Sequence, residues 1–69
     1  MSKTKTFEKK TLVGISTKDI TDAIASAIQS FGKDQVSWFE VTEIRGRVDA
    51  SGEIEYQVTI NIGTKINAN

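Results

Sequence analysis

Cysteine, histidine and proline are all absent from this chain of 69 residues. Without cysteine or histidine, the sequence has no disulfide framework, no thiolate nucleophile and no Cys/His metal site. It also contains no Gly-rich phosphate loop, so most of the groups that enzymes use for nucleophilic attack, proton transfer and phosphate binding are missing. We therefore expect a protein that is not an enzyme.

Excess charge of one sign and long hydrophobic runs are lacking as well. Nine Lys and Arg balance nine Asp and Glu, which argues against nucleic acid as a partner because that affinity comes largely from phosphate neutralisation. A hydrophobic fraction of 38% with 26% charged residues suits a soluble globular domain and is too polar for a membrane segment. The basic start, residues 1–6, is followed by no apolar signal-peptide core, so we expect a cytoplasmic protein without a membrane partner.

The short length predicts a single domain, residues 1–69, that needs reinforcement. A chain of roughly 60 residues buries only about 60% of its unfolded surface and is marginally stable alone. Since disulfides and Cys/His metal sites are excluded, self-association is the reinforcement that we expect.

Hydrophobic periodicity predicts four elements in the order β-α-β-β, hence an α+β fold in which an antiparallel three-stranded sheet packs on one helix. We expect Gly14 to end the first strand, Ser16 to be the helix N-cap and Gly32 to end the helix. The strands are predicted at about residues 6–13, 36–48 and 53–66, with a hairpin loop at 49–52. One apolar stripe should bury the helix against the sheet: Ile20, Ile24, Ala27, Ile28 and Phe31.

The single tryptophan, Trp38, is predicted to lie on the polar face of the sheet. The third strand alternates strictly, with a core face formed by Ile54, Tyr56, Val58, Ile60 and Ile62. If Phe39 and Val41 join that core face, Trp38 projects from the other face together with Glu40, Thr42 and Ile44, beside Gln57 and Thr59. A large aromatic side chain there indicates a ligand site or a subunit interface, since tryptophan is enriched at protein interfaces in general.

Several short motifs occur in order along the chain: Leu12-Val13-Gly14 followed by Ser16, Trp38-Phe39-Glu40-Val41, Arg45-Gly46, Tyr56-Gln57-Val58-Thr59, and Ile62-Gly63. With these motifs the sequence resembles the dodecin family over almost its whole length. The resemblance implies a β-α-β-β subunit assembled as a hollow homododecamer. It also implies non-catalytic binding and storage of flavin (FMN, riboflavin or a related flavin), held in pairs stacked against tryptophans at two-fold interfaces.

The resemblance also implies roles for particular residues. Trp38 corresponds to the stacking tryptophan and Gln57 to the residue that hydrogen-bonds the isoalloxazine edge. Arg45 corresponds to an arginine near the ligand entrance that meets a ribityl phosphate or an adenine, and Lys65 offers a second positive charge to phosphate. The sequence departs from the family pattern at Thr64, where an aromatic residue is customary, and in the segment between Gly14 and Trp38, which is about two residues shorter than is usual for the family.

A second interpretation keeps the same shell and changes its cargo. Such a shell would bind coenzyme A or a divalent metal ion, or no ligand at all. Glu40, Glu43 and Glu53 would supply carboxylates if they gathered around a symmetry axis, as an acid/base pair or a cation site. Because hard cations need several convergent oxygen ligands, we expect these three side chains to be solvated charges instead.

Overall fold

The computed structural model describes residues 5–66, in which a three-stranded antiparallel sheet carries one helix on one face, as the sequence predicts. The elements are β1 (Phe7–Ser16), α1 (Ile20–Phe31), a short 3₁₀ helix (Lys33–Gln35), β2 (Trp38–Val48) and β3 (Ile54–Lys65). The strand order is β1-β3-β2, so β3 is central and both of its neighbours are edge strands. Most of the basic start, residues 1–4, lies outside the described residues.

The core lies between the middle of β3 and the helix. Val58, Ile60 and Ile62 are fully buried against Ala23 and Ala27 of α1. The predicted helix stripe is confirmed, with its larger members half-buried around this centre: Ile20, Ile24, Ile28 and Phe31. We call the side of the sheet that bears these residues the helix face and the opposite side the outer face.

The first strand is longer than predicted, and Gly14 does not end it. Gly14 pairs with Val58 on the helix face, and β1 continues to Ser16. A Cβ atom at position 14 would lie 1.9 Å from the carbonyl oxygen of Ala23. The glycine therefore allows α1 to approach β1 closely, and the prediction of a strand break was wrong because the glycine serves packing.

The helix N-cap is Asp19, and the prediction of Ser16 was wrong. The Asp19 carboxylate accepts a hydrogen bond from the backbone N–H of Asp22 at 2.7 Å. Ser16 is held in the sheet opposite Tyr56. Its hydroxyl donates to the Asp22 carboxylate at 2.7 Å and accepts from the Lys18 N–H at 2.9 Å, which ties the end of β1 to the first helical turn.

The second strand contains a β-bulge that changes which residues share a face. Val41 pairs with Ile60, but the next pair is Glu43 with Thr59, so Thr42 is the extra residue. Beyond the bulge, Ile44 lies opposite Val58 on the helix face. The prediction that Ile44 shares the outer face with Trp38 was therefore wrong, because strict alternation does not survive an inserted residue.

The helix leaves much of the sheet uncovered. It packs against β1 and β3, and its 12 residues span about 18 Å, whereas the molecule is 59 Å long. Every residue of β2 is exposed. An apolar strip thus remains open on the helix face, formed by Phe39, Val41, Ile44 and Val48 of β2 with Ile54 of β3. Within residues 5–66, no helix has the length and hydrophobicity needed to cross a bilayer.

The loop that joins β2 to β3 is organised by one carboxylate. Asp49 Oδ1 accepts hydrogen bonds from the Ser51 hydroxyl at 2.7 Å, the Ser51 N–H at 2.9 Å and the Glu53 N–H at 3.0 Å. Gly52 closes the turn with a φ of 89°, a backbone conformation that glycine adopts without strain. These contacts favour the ionised carboxylate, and the hydrogen bond from Ser51 is the main reason that the pKa of Asp49 lies below its ordinary value.

Candidate functional site

The indole of Trp38 lies on the outer face of the sheet, directly over Gly63. The two residues are partners in the β2–β3 register, and Gly63 follows Ile62, whose side chain points to the helix face. A Cβ atom added at Gly63 would fall 2.1 Å from Cε2 of the indole. One side of the ring is therefore against the backbone of β3, while 38% of Trp38 remains exposed. An aromatic ring in this position offers a flat apolar surface for stacking.

Polar side chains form a network across all three strands next to the indole. Lys9 Nζ lies 3.1 Å from Glu40 Oε2, and the same oxygen accepts a hydrogen bond from Asn61 Nδ2 at 3.1 Å. The Thr11 hydroxyl donates to Asn61 Oδ1 at 2.7 Å. The hydrogen bond from Asn61, followed by those from Lys9 and its charge, lowers the pKa of Glu40 from the ordinary value. The network favours the ionised form of Glu40 and holds the polar side chains beside Trp38 in place.

Gln57 and Arg45 lie together at another part of the outer face. They are register partners on β3 and β2, and Ile15 of β1 pairs with Gln57 on its other side. Gln57 Nε2 donates to Glu55 Oε1 at 3.3 Å, and Arg47 Nε donates to the same oxygen at 2.9 Å. The hydrogen bond from Arg47 is the larger cause of the lowered pKa of Glu55. This carboxylate thus orients the Gln57 amide and keeps Arg47 beside it.

Trp38 and Gln57 share the outer face, as predicted, but they are not neighbours. Trp38 lies over Gly63, six residues from Gln57 along β3, which corresponds to about 20 Å in a strand. Lys65 ends β3 on the same face, two residues beyond Gly63 and opposite Phe7. The four predicted site residues therefore fall into a Trp38 end, with Lys65, and a Gln57 end, with Arg45.

The three glutamates considered as a cation site are spread over the chain. Glu40 is bound by Lys9 and Asn61, Glu43 pairs across the sheet with Thr59, and Glu53 lies in the loop before β3. Within the part of the chain that the structure describes, no three Asp, Glu, His or Cys side chains gather closely enough to hold a metal ion.

Two features of the outer face were not predicted from the sequence. Gly63 was noted only as part of a motif, although it provides the space under the indole. The other is the exposure of three apolar residues of β1 on this face, Phe7, Val13 and Ile15. The signal for these residues is their shared odd numbering, which places them all on the face opposite Leu12.

Comparison with known proteins gives consistent matches. The family model described as Dodecin matches residues 6–67. The dodecin of Thermus thermophilus is 38% identical over 64 residues, which cover 90% of this chain and 93% of that protein. A crystal structure of a Thermus thermophilus protein superposes with a TM-score of 0.85 at 35% identity, over 96% of this chain and 100% of that one.

A more distant match is the calcium dodecin of Mycobacterium tuberculosis, whose structure is described as having a novel calcium-binding site. It superposes with a TM-score of 0.78 at 23% identity, over 93% of this chain and 94% of that one. At this identity the match supports the fold alone.

Fold and site together define a small α+β subunit with an uncovered apolar strip and an open indole on the outer face of its sheet. The family match extends over nearly all of the described residues and includes every strand and the helix. The chain belongs to the dodecin family.

Proposed function

We propose that this protein binds flavin without catalysis, as a shell of twelve copies that stores or buffers the flavin in the cytoplasm. Flavin pairs would stack against Trp38 at two-fold interfaces between subunits. The observation that supports this proposal most directly is the position of Trp38, whose indole lies against Gly63 on one side and is open on the other.

Stacking on Trp38 accounts for binding of the flavin ring system. An offset aromatic stack contributes roughly 0.5–1.5 kcal/mol beyond the burial of its area, and an isoalloxazine presents a larger flat surface than any amino-acid side chain. Gln57 suits the polar edge of the same ring, because an amide both donates and accepts hydrogen bonds. Its half-buried position beside Glu55 limits the orientations that the amide can adopt.

A pocket that uses both Trp38 and Gln57 requires two subunits. The separation of about 20 Å along β3 exceeds the length of one isoalloxazine, so a single chain cannot present both side chains to the same ring. A two-fold axis would bring the Trp38 end of one subunit to the Gln57 end of its partner. The uncovered apolar strip on the helix face supports self-association independently of the ligand, since water-exposed apolar residues gain stability when a second copy covers them.

Arg45 and Lys65 are proposed to contact the ribityl phosphate of FMN or an adenine. Both are exposed on the outer face, one at each end of the site. In a site shared by two subunits, the guanidinium offers a planar fork to phosphate and the ammonium offers a point charge.

Titration of flavin into the assembled protein tests the proposal. Stacking on an indole should quench flavin fluorescence, and Trp38→Ala should abolish most of the binding while the oligomer persists. Gln57→Ala should weaken binding by the amount typical of one hydrogen bond, about 0.5–1.5 kcal/mol. Gln29→Ala, at an exposed position of α1 on the side of the sheet opposite the outer face, is the control and should bind as well as wild type.

Comparison of FMN with riboflavin separates the ring contacts from the phosphate contacts. Lys65→Ala and Arg45→Ala should weaken FMN binding more than riboflavin binding, whereas Trp38→Ala should weaken both. Unchanged flavin fluorescence with wild-type protein would reject flavin binding. The same shell would then hold another cargo, and calorimetric titrations with coenzyme A and with Ca²⁺ would distinguish these two from an empty shell.

A further inference from the structure

Gly63 lies where any side chain would collide with the indole of Trp38. An ideal Cβ atom at position 63 would be 2.1 Å from Cε2 and 2.4 Å from both Cζ2 and Nε1. These distances are far shorter than a van der Waals contact between such atoms, about 3.5–4.0 Å. The ring therefore occupies the space of the missing side chain.

The requirement at position 63 concerns space and not backbone conformation. Among the described residues, the glycines with positive φ are Gly32 and Gly52, and Gly63 is not one of them. Glycine inside a strand normally weakens it, because it has no side chain to pack and loses more conformational entropy on folding. Its presence in the central strand is explained by the close approach of the indole.

Neighbouring contacts fix the backbone on which the ring lies. Gly63 is paired with Lys9 on one side and with Trp38 on the other. Its carbonyl oxygen accepts a hydrogen bond at 2.8 Å from the N–H of Ser37, the residue before Trp38. The backbone of Trp38 is thus held beside Gly63 in the sheet, and the depth at which the indole lies against the sheet depends on what position 63 carries.

We propose that Gly63 is a positioning residue for the ligand, because its bare Cα sets the depth and tilt of the indole plane on which the flavin stacks. This inference rests on the proposed flavin binding and deepens it. A side chain at position 63 would lift the ring from the sheet, narrow the space for the ligand and expose more of the indole to water.

Gly63→Ala is the direct test, and Gln29→Ala is the control. Gln29 is exposed on α1, on the side of the sheet opposite the indole. In the absence of flavin, Gly63→Ala should shift the emission of Trp38, the single tryptophan, to longer wavelength and make it more accessible to acrylamide. Gln29→Ala should leave both properties as in wild type.

Flavin titrations of the same variants give the functional readout. Loss of the aligned stack in Gly63→Ala should weaken flavin binding by roughly 2- to 12-fold, which is the range expected for one offset aromatic stack. Gln29→Ala should bind as wild type does. If Gly63→Ala has the same emission wavelength, acrylamide quenching and flavin affinity as wild type, the proposal is overturned.

A double-variant comparison covers the case in which Gly63→Ala fails to assemble. Trp38→Ala removes the ring, so adding Gly63→Ala in that background should cause no further loss of thermal stability. If the double variant assembles, the collision with the indole causes the assembly defect of Gly63→Ala. If Trp38→Ala assembles but the double variant does not, the proposal is overturned. Wild-type protein that does not quench flavin would instead reject the proposed function, and the emission shift would still report whether Gly63 sets the position of the ring.

Discussion

Replacement of Ile44 by aspartate should prevent assembly while it leaves the sheet and helix of each subunit largely formed. The bulge at Thr42 places Ile44 on the helix face, in the part of β2 that the helix does not cover. Ile44 is 55% exposed in the isolated chain. Complete burial of such a side chain typically contributes 1.5–3 kcal/mol, so covering the exposed part by another copy would stabilise each subunit by about 1 kcal/mol. Ile44→Asp loses this contribution and adds several kcal/mol for an unpaired carboxylate at a buried interface.

Glu43→Asp is the matched control for this variant. It places an aspartate one position away, on the outer face opposite Thr59, where a carboxylate is already present. Mass photometry across a concentration series should show smaller species for Ile44→Asp and the wild-type oligomer for Glu43→Asp, with far-UV circular dichroism reporting on the subunit fold. Normal assembly of Ile44→Asp would refute the assignment of the strip to a subunit interface.

Other predictions concern the core, the helix and the hairpin loop. Ile60→Ala should lower the free energy of unfolding by about 2–5 kcal/mol, since the side chain is fully buried; chemical denaturation should give a smaller loss for Val48→Ala, whose side chain is 67% exposed. Ile24→Asp should fail to fold or assemble because it puts an unpaired charge against the core, and soluble, assembled variant would contradict the assignment of the helix stripe. Because the pKa of Asp49 is lowered by folding, its carboxylate stabilises the native state above its ordinary pKa of about 3.8, and this contribution is lost as the pH falls through the lower native value. The stability difference between wild type and Asp49→Ala should therefore shrink on acidification, and a difference independent of pH would show that the hydrogen bonds do not depend on ionisation.

Periodicity predicted the element order and the buried residues of β3 because both depend on patterns that repeat over many residues. Ile60 and Ile62 alternate with polar residues without interruption, and the helix stripe repeats over three turns. The bulge could not be predicted in this way. Thr42 is not a glycine or proline and fits the alternation of β2 itself, so only the pairing with β3 reveals the extra residue.

The local signals at the start of the helix were ambiguous for a different reason. Ser16 and Asp19 are both good N-cap residues, and the sequence alone does not rank them. Tertiary structure decides, since pairing with Tyr56 keeps Ser16 in the sheet and leaves Asp19 to cap the helix. Likewise, the common outer face of Trp38 and Gln57 could be predicted, but their separation along β3 depends on the register.

The close contact between Gly14 and Ala23 links the packing of the helix to the extent of the exposed apolar strip. The small residues where α1 contacts β1 allow the helix to lie close to that strand. The edge strand on the other side of β3, β2, is left uncovered. A bulkier residue at position 14 would push the helix away from β1 and disturb how much of the apolar strip stays open. Gly14 is not part of the strip, yet it helps to determine which apolar residues each chain buries by itself and which it leaves exposed.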